Sequence, residues 1–304
     1  MVPADWLWIP ITIWAAFAQT LRNAAQRHLV SGLGTLGATL VRFLYGLPFA
    51  VLWLLIVRAV GHFELPGANA AFMLWVSLGA ISQIVATALL LRVMSERNFT
   101  LGVAYSKSEI LQVAIFGFVF LGDTVSPAAL MAILLGTLGV LLLSPADKDR
   151  PIRGLLTGWT RRTALLGVAS GAGFALSAVG FRGAALALGD APFPMAAAST
   201  LVVAQLLQTL ILGGWLVVRH TGVVMRVLRA WRASLFAGFM GAAASAGWFT
   251  AMAIEPAAHV RTLGLVELLF SYAVSRKIFR ERLERRELVG IALLVLGLVV
   301  VLGR

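Results

Sequence analysis

Glu109 and Glu267 each stand inside an apolar stretch, 158 residues apart. An ionised side chain at membrane depth costs on the order of 3 kcal/mol unless it meets a counter-charge, water or protein. Three kinds of chemistry would justify that cost: binding an ammonium group, carrying a proton, or pairing with a buried cation. Tyr105, Glu109 and Gln112 share one helical face at i, i+4 and i+7. On a continuous helix Lys107 projects about 160° away from Glu109. It is placed to bind a substrate carboxylate or an acid on another helix. Around Glu267, Ser271 and Ser275 lie on the same face, with Arg261 nearly two turns earlier and Lys277 beyond. A substrate role and a structural ion pair are both open to Glu267.

Other polar groups extend the set. Arg42 and Tyr45 share a face, and Arg42 is a candidate partner for Glu109 or for a substrate carboxylate. Gln83, Gln205 and Gln208 are neutral hydrogen-bonding groups that suit contacts between helices. Gln19, Arg22, Asn23 and Gln26 form a polar face that reads as a cytoplasmic gate or headgroup anchor, and Arg182 reads as an interfacial anchor. Trp6, Trp8, Trp53, Trp159, Trp215 and Trp231 fall near segment ends, where tryptophan anchors helices to the interface. Trp248, beside Phe249 in a segment rich in Gly, Ala and Ser, is the tryptophan best placed to meet a ligand. The substrate-binding set expected from these residues is Glu109, Lys107, Tyr105, Arg42, Trp248 and Glu267.

No catalytic residue, cofactor or metal is expected. His28, His62, His220 and His259 occupy loop or end positions without ligand spacing, cysteine is absent and no Walker loop is present.

The elements that must hold these residues are membrane helices. The chain is 60% hydrophobic and 12% charged, and its mean hydropathy is +0.92. Ten stretches approach the roughly 20 apolar residues of a spanning helix, near 6–26, 35–57, 70–91, 101–120, 127–143, 163–187, 193–218, 232–254, 258–279 and 286–302. No basic region precedes Trp6, so the first segment is expected to serve as its own insertion signal.

The net charge of +12 is not a nucleic-acid signature, because 18 of the 25 Lys and Arg residues fall in alternate connections. That asymmetry predicts both termini outside the cytoplasm. The expected partners are the lipid bilayer and a small-molecule substrate, with protons as a candidate coupling ion. A monomer suffices, since two fused halves can enclose a site.

The chain repeats itself. At an offset of 158, Asp123 meets Glu281, Leu130 meets Leu288, Ile133 meets Ile291 and Gly139 meets Gly297. Basic and non-basic loops exchange places between the copies. Gly122 to Ser126 has no basic residue, whereas its counterpart between Ser275 and Glu287 has six. An odd number of helices per half forces the halves into opposite orientations. The expected fold is an all-α polytopic membrane protein of ten transmembrane helices, arranged as two inverted five-helix repeats. The repeats cover 1–145 and 163–304, joined by a basic linker at 146–162.

The run Phe120-Leu121-Gly122-Asp123-Thr124-Val125-Ser126-Pro127, followed by Gly136 to Val140, resembles the end of each half in the drug/metabolite transporter superfamily. The resemblance is to ten-helix proteins with two EamA domains. The second copy departs from the pattern, with Arg280 at the small-residue position and Leu294 opposite Gly136. Within the superfamily the pattern is similar to YddG-like exporters of aromatic amino acids. The resemblance implies a secondary transporter of the bacterial inner membrane, not an enzyme, with its helices around a central cavity lined by the third, which adds Gln83 to the expected substrate-binding residues. Proton-coupled export of cationic drugs is an alternative, although the first helix lacks the carboxylate such antiporters favour. An intramembrane enzyme or sensor is the alternative of another class, and it would need a cluster of acid, base and nucleophile that the sequence lacks.

Overall fold

The computed structural model describes residues 6–96, 106–107, 109–122 and 162–278, with single positions between 103 and 138 and between 289 and 296. The apolar segments at 127–143 and 286–302 and the linker at 146–162 lie almost wholly outside the described residues. Every described element is a helix.

The first, α1 (Trp8–Leu44), contains a break at Gly34, where φ is 70° and ψ is 171°. Gln26 Nε2 donates to the carbonyl of Ala38, twelve residues on, at 2.7 Å, whereas a straight helix would hold those groups about 18 Å apart. The chain therefore doubles back at Gly34, whose positive φ glycine adopts without steric cost. Helix α2 (Leu47–Gly61) continues the returning arm, with Pro48 in its first turn. The apolar span Trp8–Gly61 runs for 54 residues. As one helix it would measure about 80 Å, and a bilayer core is about 30 Å thick. The hairpin makes it two crossings, as the segments at 6–26 and 35–57 predict.

Helix α3 (Ala70–Glu96) starts at Asn69, whose Oδ1 accepts from the Phe72 amide at 2.8 Å while its Nδ2 donates to the carbonyl of Ala187 at 2.7 Å. One side chain thus caps α3 and ties it to the end of α5 (Arg162–Ala187). Helix α4 (Glu109–Leu121) follows a turn at Lys107. Then come α6 (Phe193–Arg219), the short amphipathic α7 (Thr221–Arg229) and α8 (Trp231–Ile254). The last described span is itself broken, into α9 (Ala257–Leu263) and α10 (Val266–Lys277), by a turn at Gly264 and Leu265.

Burial is inverted relative to a protein folded in water. Leu74, Phe118, Leu210 and Val218 are 61–80% exposed, while Arg22 and Glu267 are 1% exposed. Apolar side chains on the outside and charge on the inside mark lipid as the solvent. With several apolar helices long enough to cross a bilayer, this is a multi-pass membrane protein.

The most extensive interfaces are α3 against α5 and α1 against α8. Both are seams of small residues. A Cβ on Gly180 of α5 would lie 2.9 Å from the Gly79 backbone of α3, and one on Gly247 of α8 would lie 2.8 Å from Ala15 Cβ of α1. The backbones meet with nothing between them, which maximises dispersion contact where lipid supplies no hydrophobic drive.

Three basic connections gather at one end of the bundle. Gly34, Arg92, His220 and Arg226 line one apolar recess. Trp6, Trp215 and Trp231 are exposed near helix ends, as anchors should be; Trp53 is exposed in the middle of α2 instead, and Trp8 is buried at 6% exposure and packs into the core. Trp159 lies outside the described residues.

Candidate functional site

The two glutamates come together at the middle of the fold. Helices α4 and α10 each start directly after a turn, at Lys107 and at Gly264–Leu265, and each carries its glutamate in the first turn. A carboxylate at a helix N-terminus is favoured by the unpaired amides and the dipole there. The breaks also explain a departure from expectation. A continuous helix would hold Lys107 and Glu109 on nearly opposite faces, but Lys107 lies in a turn and its Nζ reaches Glu109 Oε1 at 3.7 Å.

Lys107 donates to Glu267 Oε2 in a short hydrogen bond. Gln19 Nε2 reaches the same oxygen at 2.6 Å, and Asn23 Nδ2 reaches Glu267 Oε1 at 3.0 Å. Glu109 is held more loosely, with Arg261 Nη1 at 3.6 Å and Lys107 at 3.7 Å. The Arg261 guanidinium stacks 4.5 Å from the centre of the Trp248 ring, and the Trp248 Nε1–H donates to Gln19 Oε1 at 2.9 Å. Gly264 makes room for that indole, since a Cβ there would lie 2.6 Å from Trp248 Cη2. Every charged member of this junction is at most 5% exposed.

Two further cations abut it. Arg42 Nη1 donates to Thr87 Oγ1 at 3.0 Å, and its Nη2 lies 3.5 Å from Ser245 Oγ. Arg22 donates to Asn23 Oδ1, through Nη2 at 2.7 Å and Nε at 3.3 Å. The two arginine stems converge on Gly241, where a Cβ would lie 3.3 Å from Arg42 Cγ and 3.4 Å from Arg22 Cδ.

Of the sequence-predicted set, Glu109, Lys107, Glu267 and Trp248 are thus gathered into one network, with Arg42 at its flank. Gln83 sits apart, accepting from Gln208 Nε2 at 2.8 Å between α3 and α6. Tyr105 lies outside the described residues. Arg42 does not pair with Glu109; Arg261 and Lys107 take that place.

Several residues have other roles than expected. Gln19, Asn23 and Arg22 are ligands and neighbours of the junction, and Gln26 joins the two arms of the α1 hairpin. None of them faces a headgroup. Arg182 is no interfacial anchor: its Nη1 donates to the carbonyls of Met252 and Glu255 at 2.6 and 3.0 Å, closing the C-terminal end of α8. Arg261 and His259 lie buried in α9, with His259 Nδ1 2.5 Å from Glu255 Oε1. Arg261 stands nearly two turns before Glu267 in the apolar segment 258–279, yet the carboxylate it approaches is that of Glu109. Among the described residues no group of His, Asp or Glu could hold a metal ion.

Residues 161–303 match the model of the EamA-like transporter family. The match falls in the C-terminal half of the chain, which is thus similar to a family of membrane transporters. A solved structure, titled only as the crystal structure of a protein, superposes with a TM-score of 0.69 at 14% identity, covering 97% of this chain and 95% of its own. At that identity the likeness is one of fold. No curated protein matches the sequence.

Proposed function

We propose that this chain is a secondary transporter that moves small carboxylate-bearing metabolites, amino acids first among them, across the bacterial inner membrane by alternating access. The buried junction is its substrate site. One observation carries the reading: the ion pairs run crosswise between the halves. Lys107 of the first half holds Glu267 of the second, and Arg261 of the second half approaches Glu109 of the first. Buried ion pairs are a poor way to stabilise packing, because their desolvation offsets most of their attraction. They are well suited to joints that must be broken and remade as the helix pairs on either side of the junction move.

The pattern of interfaces supports an inverted repeat of five helices per half, with boundaries at 1–145 and 163–304. Exchanging the halves turns the α1–α8 seam into the α3–α5 seam, and the α4–α5 contact into the α1–α10 contact. The turns before Glu109 and Glu267 also match, since Lys107 and Leu265 are 158 residues apart. Discontinuous helices at a repeat interface are the usual place for a transporter's binding site. The positive-inside pattern, with three basic connections at one end, supports periplasmic termini.

The loose hold on Glu109 favours a proton-coupled version in which Glu109, rather than the fully engaged Glu267, changes protonation. Counterflow in proteoliposomes with radiolabelled amino acids tests both statements. Saturable flux that follows a pH gradient in wild type and loses that dependence in Glu109→Gln identifies the proton site. Saturable flux indifferent to the gradient makes the protein a facilitator. No flux of any amino acid from folded protein overturns the amino-acid reading.

A further inference from the structure

The junction is not electrically balanced. Among the described residues it holds four cations, Arg22, Arg42, Lys107 and Arg261, and two carboxylates, Glu109 and Glu267, all at most 5% exposed. The chain's other acids fall in connections or within two residues of a segment end. The two carboxylates are engaged by Lys107 and Arg261, which leaves Arg22 and Arg42 with neutral hydrogen-bond acceptors: the Asn23 amide oxygen for one, and the hydroxyls of Thr87 and Ser245 for the other. Arg22 Nη1 is buried without a hydrogen-bond partner, as is Arg261 Nε. The two arginines repel each other and feel both the repulsion of Arg261 and the attraction of Glu267, to which neither is hydrogen-bonded, and their stems flank Gly241, which adds no side chain between them.

We infer that Arg22 and Arg42 are the seat for an anionic group of the substrate, a carboxylate or a phosphate, and that the transported molecule bears a net negative charge when it is bound. Guanidinium groups keep their charge inside a protein, so burial cannot discharge them as it could a lysine. Two such groups over a glycine offer forked donors to a planar or tetrahedral oxyanion. A zwitterion would leave the excess positive charge in place, and a cation would add to it. The substrate class of the proposed transporter thereby narrows to organic anions, such as dicarboxylates, acidic amino acids or phosphate monoesters. This deepens the transport reading and rests on it.

The test uses the full chain in lipid nanodiscs, in a zwitterionic buffer of low ionic strength. Binding of succinate, glycerol 3-phosphate, phenylalanine and lysine is measured by calorimetry and by thermal shift, with chloride and inorganic phosphate as separate arms. At least one organic anion is expected to bind about tenfold or more tightly than phenylalanine or lysine. Arg42→Gln and Arg22→Gln should each weaken that binding by about tenfold or more, and Arg42→Lys by less. Without ligand, Arg42→Gln should melt no lower than wild type, because an unneutralised buried charge has been removed; a merely structural arginine would lower the melting temperature when lost. Phenylalanine binding as well as succinate, anion binding unchanged in both Gln variants, or binding of inorganic anions only would each overturn the seat. Counterflow of the same compounds separates the two readings. Phenylalanine flux that both Gln variants leave intact sinks the seat and keeps the transporter. Anion binding lost in Arg42→Gln, with no flux of any compound, keeps the seat and sinks the transporter.

Discussion

The seams and the junction hold helices together in opposite ways. Along α3–α5 and α1–α8, glycine and alanine let backbones touch, so the attraction is dispersion spread over many atoms. Around Glu267, six side chains from α1, α4, α8, α9 and the turn before α4 converge on charge and hydrogen bonding, with Gln19, Asn23 and Lys107 bonded to the one carboxylate. A seam has one good arrangement. A junction has donors and acceptors that can change partners at modest cost, provided no charge is left alone. The difference bears on the proposed cycle: each seam joins a helix of one half to a helix of the other, so the pairs α3–α5 and α1–α8 would travel as bodies, with the charged junction between them giving way.

The largest effect should come from breaking the junction on one side. Glu267→Gln leaves Lys107 with Glu109 as its remaining acid, and about 3 kcal/mol of stability should be lost together with flux. Thermal unfolding in detergent and counterflow in proteoliposomes measure the two losses. Breaking a seam comes next. Gly180→Leu forces a side chain against the Gly79 backbone and should cost about 2 kcal/mol, with flux falling in proportion to folded protein.

Smaller changes sharpen the contrast. Arg182→Ala removes a charged donor from the two carbonyls at the end of α8 and should cost about 1.5 kcal/mol, leaving the half-saturation concentration unchanged. Least of all, Gln83→Leu with Gln208→Leu exchanges a neutral interhelical bond for apolar contact, and about 0.6 kcal/mol or less should be lost. A change in substrate preference in that last pair would move Gln83 into the site.

Much of this arrangement was legible in the sequence because charge in lipid is costly. Glu109, Lys107 and Glu267 stood out inside apolar segments, and the hairpin at Gly34 fell between two of them. Partner choice was not legible. Hydrophobic periodicity makes the segments at 101–120 and 258–279 continuous helices, yet each breaks two residues before its glutamate. The break turns Lys107 towards Glu109 and Glu267, a geometry that a 3.6-residue period excludes. Arg22 and Asn23 were misplaced for another reason. Helical spacing gives the face a residue occupies but not what packs on that face, and here it was the carboxylate of Glu267, 244 residues beyond Asn23. Arg182 repeats Arg22 at an offset of 160, yet it is spent on two carbonyls, so a repeat transfers position without transferring role.

The central claim is that the crosswise pairs serve transport and not mere cohesion. Removing both partners at once tests it, because a purely structural buried pair can be replaced by neutral groups with little loss. The measurement is the melting temperature and the saturable counterflow of the double variant Lys107→Met/Glu267→Gln beside wild type. The account predicts a melting temperature within about 3 °C of wild type, since no charge pair is left half broken, and flux reduced about tenfold or more. Wild-type flux from the equally stable double variant would contradict it.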